Sequence, residues 1–205
     1  MINKLFSAAV LFSICLTKVY AADNLYGVFS LGYADAEYSV NESQGGAYKL
    51  ALGYQFDPQW YAEFGYQQLV DESLASALPN TDDAAQNFTG GMQGSALFAS
   101  VLGKAAGRMG ELYYRLGLLK TDIKGQDLLS GSAACELGTA REFAVDSGQA
   151  FTLCEYDEGG LAGVIGIGFD FYVDTRTMIR AEIEYIQGEN DLKLSTAFIG
   201  LRYNF

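Results

Sequence analysis

The strongest constraint in this sequence is an alternation of apolar with polar or small residues, which is the period of a β-strand. The alternation is clearest at the C-terminus, where the apolar set is Ala197, Ile199, Leu201, Tyr203 and Phe205. The residues between them are mostly polar or small. An amphipathic helix would need a period of about 3.6 residues instead. The segment is therefore predicted to be a strand with one apolar face.

The same two-faced pattern recurs along the chain and gives eight candidate strands. Each is about ten residues long, and a tilted strand of ~9–11 residues crosses a bilayer. Between 95 and 102 the residues are strand-like, but the facing of their side chains is ambiguous. Apart from the C-terminal strand, the candidates centre on residues 29–33, 48–56, 60–66, 95–102, 112–118, 161–171 and 179–185.

The connections between the candidate strands alternate in length. Short connections follow the second, fourth and sixth strands. Long connections, over 35–46, 68–92 and 121–159, follow the first, third and fifth, and the last connection on that side is short. Short turns at one end and longer loops at the other are typical of outer-membrane barrels.

The second face of the strands carries charged residues of both signs, which are costly to bury unless they pair. In a lipid-embedded barrel the apolar face points outward, and the other face fills the lumen. The charges can then pair across the interior. A soluble sandwich would explain neither these charges nor the wide aromatic face. The predicted lumen charge network consists of Lys49, Glu63, Arg115, Arg180, Glu182, Glu184 and Arg202.

Residues 1–21 have the features of a secretory signal peptide. Lys4 supplies a positive start, and an apolar stretch over 5–16 follows. That stretch is too short for a transmembrane helix, which needs about 20 apolar residues. We predict cleavage after Ala21, with Ala22 as the alternative, and a barrel domain over 22–205.

Two cysteines remain beyond the signal peptide, Cys135 and Cys154. In an exported chain an even pair predicts one disulfide. It would close a loop of about 20 residues, a constraint of roughly 3 kcal/mol in the chain-entropy model. Two buried free thiols are the alternative.

The composition excludes several function classes. The chain contains no histidine, which removes Ser/His/Asp and Cys/His catalysis and histidine-based metal sites. Its 25 acidic and 13 basic residues give a formal net charge of −12, whereas nucleic-acid binding needs a basic stripe. The acidic loops match no calcium-coordination spacing. We predict no enzymatic activity, no cofactor, no metal site and no nucleic-acid partner.

With these features the chain resembles the small eight-stranded outer-membrane barrels of the OmpA/OmpX type, the opacity-protein-like porin superfamily. The most specific element is the C-terminal strand, with Ile199, Leu201, Tyr203 and Phe205 on one face. The resemblance implies that this strand is the signal read by the barrel-assembly machinery. It also implies an all-β, eight-stranded antiparallel up-and-down transmembrane β-barrel, exported to the outer membrane of a Gram-negative bacterium among lipid and lipopolysaccharide.

Members of this family differ in function, so the resemblance implies location better than activity. We predict a monomer with a structural or adhesin-like role, whose long extracellular loops contact a host or cell-surface ligand. Two alternatives stay open. An eight-stranded interior is just wide enough for side chains to fill, yet it could pass small solutes or ions. A soluble periplasmic lipocalin-like barrel would instead bind a small ligand.

Overall fold

The computed structural model describes residues 24–38, 41–71, 91–132, 134–135, 138–145, 148–189 and 191–205. The predicted signal peptide lies outside these residues, so its cleavage stays a prediction. Within the described part of the chain, no helix is long and apolar enough to cross a membrane. The described residues form nine strands: β1 (Leu25–Tyr38), β2 (Asn41–Asp57), β3 (Trp60–Asp71), β4 (Met92–Ala106), β5 (Gly110–Ser130), β6 (Thr139–Ala144), β7 (Ala150–Tyr172), β8 (Thr177–Gly188) and β9 (Lys193–Asn204).

Eight of these strands close into an antiparallel barrel. Hydrogen-bonded neighbours follow the order β1, β2, β3, β4, β5, β7, β8, β9, and β9 pairs with β1 to complete the circle. The predicted fold class is therefore confirmed. Within the described residues β6 lies outside the barrel and pairs with β7. It is a ninth strand that the sequence pattern did not predict.

The alternation places apolar side chains on the outside of the barrel, where Leu116, Ile183 and Ile199 are each more than 60% exposed. In the strand whose facing was ambiguous, Leu97 points outward and Phe98 points inward. A wide apolar exterior is unfavourable in water and suits the hydrocarbon core of a membrane. The apolar outside is the reverse of a soluble lipocalin-like barrel, so that alternative is wrong.

Glycines on the inner face make room for large interior side chains. Gly53 lies directly beside Tyr26 on the neighbouring strand, and Gly168 lies beside Tyr113 in the same way. A Cβ atom at either glycine would collide with the tyrosine ring. The small residues of the second face therefore allow aromatic and charged side chains to fill the barrel.

The three predicted short turns are confirmed and lie at one end of the barrel, together with the C-terminus. We call the opposite end the outer end. The predicted long loop over 35–46 is wrong, because β1 and β2 pair without interruption from Leu25↔Tyr54 to Tyr38↔Asn41. The strands continue beyond the membrane, where outward positions such as Asp35 and Glu37 are no longer apolar.

Strands β5 and β7 continue far beyond the barrel. They pair without a register shift from Gly110↔Phe171 to Ser130↔Phe151, so most of the predicted loop over 121–159 is strand. The outward apolar side chains end at Leu118 and Leu161. About ten residues of each strand extend past that level, or roughly 30 Å at ~3.3 Å per residue. We call residues 126–130 of β5, all of β6 and residues 150–155 of β7 the tip sheet.

Candidate functional site

The seven charged residues predicted for the lumen all have their side chains inside the barrel. Each is buried, with at most 3% of its surface exposed. They lie on β2, β3, β5, β8 and β9 at alternate positions, so the strand period carries them to the inner face. The barrel brings together residues that are far apart in sequence.

One ion pair crosses the barrel. Arg180 on β8 lies opposite Glu63 on β3, and the Arg180 Nη1 atom is 2.7 Å from Glu63 Oε1. The Arg180 Nε also donates to Asp170 Oδ1 on β7 at 2.7 Å. The Tyr26 hydroxyl donates to Glu63 at 2.8 Å. Strands that share no backbone hydrogen bonds are thus tied together by side chains.

A second group of contacts surrounds the two glutamates of β8. Lys49 Nζ lies 3.0 Å from Glu182 and also pairs with Glu184. Arg115 Nε donates to Glu182 at 2.6 Å, while its Nη2 pairs with Glu63. Each carboxylate therefore meets more than one cation, which is the condition for burying it in a low-dielectric interior.

A third group of charges lies toward the short-turn end. Arg202 Nη1 lies 3.0 Å from Asp170 and 2.9 Å from Glu111, and Lys104 Nζ lies 3.3 Å and 2.9 Å from the same two carboxylates. The Lys104 ammonium is 3.7 Å from the centroid of the Tyr61 ring, a favourable cation–π contact.

The sequence prediction missed three members of the network. Lys104 and Glu111 lie just outside the predicted strands 95–102 and 112–118, and Asp170 lies within a predicted strand but is absent from the predicted set of lumen charges. All three have the inward parity of their strands, so the alternation itself could have found them. The complete network is electrically balanced, with the cations Lys49, Lys104, Arg115, Arg180 and Arg202 and the anions Glu63, Glu111, Asp170, Glu182 and Glu184.

Apolar side chains fill the interior between this network and the outer end. Leu69, Leu119, Ile186 and Leu194 are each at most 1% exposed and belong to one buried cluster. The interior is thus occupied at two levels, first by paired charges and then by an apolar layer. This arrangement favours a closed lumen over an open channel.

The tip sheet has its own stabilising contacts. The predicted disulfide is present between Cys135 and Cys154, with Cα atoms 5.7 Å apart. Phe143 of β6 stacks against Phe151 of β7, and Leu128 and Val145 pack against the pair. A cross-link and a small apolar cluster therefore hold a structure that stands outside the barrel.

The outer end is acidic. Within the described residues, no group of three or more acidic or cysteine side chains is arranged to hold a metal ion. Among the residues whose side chains the structure describes, the outer cations are Lys120, Lys124, Arg141 and Lys193. The outer carboxylates of the same part of the chain are those of Asp35, Glu37, Asp71, Asp122, Asp127, Glu142, Glu155, Asp157, Glu158, Glu189 and Asp191.

The predicted assembly signal lies on the outer surface of β9. Ile199, Leu201, Tyr203 and Phe205 all face outward and are 44–64% exposed. Tyr203 and Phe205 contact each other edge-on, with ring centroids 5.7 Å apart. The side chains are thus available on the barrel exterior, and their part in assembly stays a prediction.

A closed antiparallel barrel with an apolar exterior and a paired charged interior defines a transmembrane β-barrel of the outer-membrane class. The chain belongs to the outer membrane protein beta-barrel domain family, whose profile matches residues 6–205. A comparison with curated proteins found no match.

Solved outer-membrane barrels from several bacteria have a similar fold, among them the following three. Neisserial surface protein A is 13% identical, with a TM-score of 0.60, and the match covers 88% of this chain and 97% of that one. Ail of Yersinia pestis, solved in complex with the heparin analogue sucrose octasulfate, is 18% identical at a TM-score of 0.52, with coverage of 89% and 99%. The N-terminal β-barrel domain of Pseudomonas aeruginosa OprF is 12% identical at 0.53, with coverage of 89% and 98%. At these identities the likeness is one of fold.

Proposed function

We propose that this protein is a monomeric surface-interaction protein, in which the barrel is the anchor and the tip sheet contacts a ligand on a host or another cell. The observation that carries the proposal is the continuation of β5 and β7 past the outward apolar side chains, with β6 and the Cys135–Cys154 disulfide added at the far end. A barrel with only a structural role in the membrane would not need this extension.

The tip sheet suits binding because it is both rigid and accessible. Binding residues are most effective when a fixed scaffold presents them, and here two continuous strands and a disulfide supply the scaffold. The side chains of β6 are almost all exposed. An edge strand of this kind also offers backbone groups to an extended segment of a partner.

The charge of the outer end favours a basic or neutral ligand. Carboxylates outnumber cations there by more than two to one within the described residues, and like charges at an interface suppress binding. Ail was solved with a polyanion. We therefore propose that this chain, with its acidic outer end, does not bind sulfated ligands such as sucrose octasulfate.

The proposal includes a non-enzymatic, non-conducting barrel without a cofactor. The cross-barrel pair of Arg180 with Glu63 and the apolar layer around Leu119 support a lumen that does not conduct. The channel alternative is tested by planar-bilayer recordings of the purified protein. We expect no unitary conductance, and steady openings would overturn this part of the proposal.

Adhesion assays test the binding role directly. In one variant, residues 126–155 are replaced by Asn-Gly, a two-residue sequence that closes a β-hairpin. The replacement removes the tip sheet and leaves the Gly125↔Tyr156 pair and the barrel intact. We expect cells that display the full protein to adhere to epithelial cells, and cells that display the shortened barrel at equal surface level not to. Equal adhesion would contradict the proposal.

A further inference from the structure

One edge of β7 is interrupted between β6 and β8. Strand β5 covers the other edge without a break, from Phe151 to Phe171. On the interrupted edge, β6 pairs as far as Glu155, and the pairing with β8 begins at Ala162. Within the described part of the chain, residues 156–161 of β7 therefore have no strand beside them on that edge. We call this gap the β7 notch.

The notch presents backbone hydrogen-bonding groups. At its membrane-side end, the Leu161 N–H donates to Glu189 Oε2 at 3.0 Å, and the Leu161 carbonyl accepts the Glu189 N–H at 3.1 Å. Because backbone groups along a strand point to alternate edges, those of Asp157 and Gly159 point to the same edge as those of Leu161. No backbone–backbone hydrogen bond joins these two residues to another described residue on that edge. Two donors and two acceptors thus line the notch.

The notch is open to solvent. Asp157 and Gly159 are both exposed, and they lie beyond Leu161, the last outward apolar residue of β7. Gly159 has no side chain that could shield its backbone. An unpaired strand edge in water can pair with an extended segment of another chain. The gap has room for about six extended residues, or about 20 Å at ~3.3 Å per residue.

The charges around the notch favour a basic occupant. Four carboxylates flank it, those of Glu155, Asp157, Glu158 and Glu189. Among the described residues their one salt-bridge partner is Lys124, whose Nζ lies 2.9 Å from Asp157. A second copy of this chain would bring the same carboxylates to the edge, and like charges on paired strands are destabilising. A segment that carries lysine or arginine meets complementary charge instead.

We propose that the β7 notch binds an extended basic segment of a partner protein, which adds a strand between β6 and β8. The segment exchanges backbone hydrogen bonds with Asp157 and Gly159, and its lysine or arginine side chains face the flanking carboxylates. The notch lies below residues 126–155, which carry the proposed adhesion. It is tested with a soluble peptide, so either proposal can fail without the other.

The test titrates the full protein in lipid nanodiscs with the blocked hexapeptide acetyl-KTKTKT-amide and follows the amide NMR signals of residues 156–161. The variant Gly159→Pro removes an N–H that faces the notch and puts a ring in its place, but it spares the pairing with β5, which does not use this group. Gly159→Ala is the matched control, because it keeps the N–H. A Cβ atom at this position would lie 3.5 Å from the Thr121 carbonyl oxygen, an ordinary contact.

We expect saturable shifts of the Asp157 and Gly159 signals in the wild type. Gly159→Pro should weaken binding about fivefold, because one backbone hydrogen bond is lost. Gly159→Ala should stay within about twofold of the wild type, since a surface substitution of this kind has a small effect. The peptide acetyl-ETETET-amide, with the opposite charge, should cause no saturable shift.

The proposal is overturned if Gly159→Pro binds the lysine peptide as the wild type does, or if the glutamate peptide binds equally well. Shifts confined to the tip sheet would also overturn it, because they would place the peptide outside the notch. Unchanged mobility of the unboiled variants on detergent gels verifies that they are folded.

Discussion

The barrel and the tip sheet share the continuous strands β5 and β7, yet different interactions stabilise the barrel interior and the tip sheet. In the interior, buried cations and carboxylates tie together strands that are not neighbours. In the tip sheet the charges are mostly exposed, and a disulfide with the Phe143–Phe151 cluster provides the stability. The surroundings explain the difference, because lipid forces charge to the inside of the barrel and water permits it on the surface of the tip.

The comparison implies that an arginine contributes much more to the free energy of unfolding in the barrel interior than in the tip sheet. Arg115→Met should lower the free energy of unfolding by about 3–5 kcal/mol, because it leaves Glu63, Glu182 and Glu184 short of a buried partner. Arg141→Met in the exposed β6 should change it by less than about 0.5 kcal/mol. Urea unfolding in lipid vesicles measures both.

A stronger test of the interior charge network replaces Arg115 with Glu. This change brings a fourth carboxylate next to three buried ones and should prevent folding or lower the midpoint further than Arg115→Met. Equal midpoints for the wild type and Arg115→Glu would show that the interior is not a paired charge network.

Assembly should depend on the barrel strand and not on the outer connections. Deletion of Phe205 removes the last outward aromatic residue of the C-terminal strand and should reduce the amount of protein in the outer membrane severalfold. Deletion of Asp82, in the connection between β3 and β4, should leave it nearly unchanged. Quantitative immunoblots of membrane fractions compare the two, and equal levels would contradict the assigned role of the last strand.

Removal of the disulfide should affect the tip sheet alone. Cys135→Ser combined with Cys154→Ser releases a loop constraint of roughly 3 kcal/mol, but both cysteines lie at the far end of the extension, outside the strand segments that form the barrel. Protease cleavage of residues 131–149 in the folded protein should therefore speed up, while the urea midpoint of the barrel stays fixed. A parallel fall in the midpoint would show that the two regions unfold as one unit.

The smallest effect concerns the surface pair of Lys124 with Asp157. The hydrogen bond and the charge of Asp157 raise the pKa of Lys124 above its usual value. Because this pKa is higher in the folded state, the pair stabilises the strand extension below about pH 10 and loses its effect as the pH rises through the raised pKa. Hydrogen exchange at residues 122–126 should increase above that pH in the wild type and vary less with pH in Lys124→Gln.

The sequence alone predicted the barrel because lipid imposes a strict alternation on the strands that cross it. It failed where strands leave the lipid, since outward positions such as Asp35 and Asp122 become polar while the pairing continues. β6 was missed for a related reason: Thr139–Ala144 is short and has no alternating face.

Charge pairing was predictable in kind but not in detail. Parity placed Glu63 and Arg180 on the inner face, but only the closed barrel shows that they lie opposite each other. The prediction missed Lys104 and Glu111 because β4 and β5 extend beyond the predicted strand ends at residues 102 and 112, to Ala106 and Gly110.

Trypsin treatment of intact cells tests the central claim that the tip sheet is outside and the barrel is enclosed by the membrane. Arg141 is exposed on β6, between Cys135 and Cys154 in the sequence. We expect cleavage after Arg141 in intact cells, with the two fragments separating only after reduction and the barrel remaining resistant to detergent until boiled. Cleavage that occurs only after the outer membrane is disrupted would contradict the account.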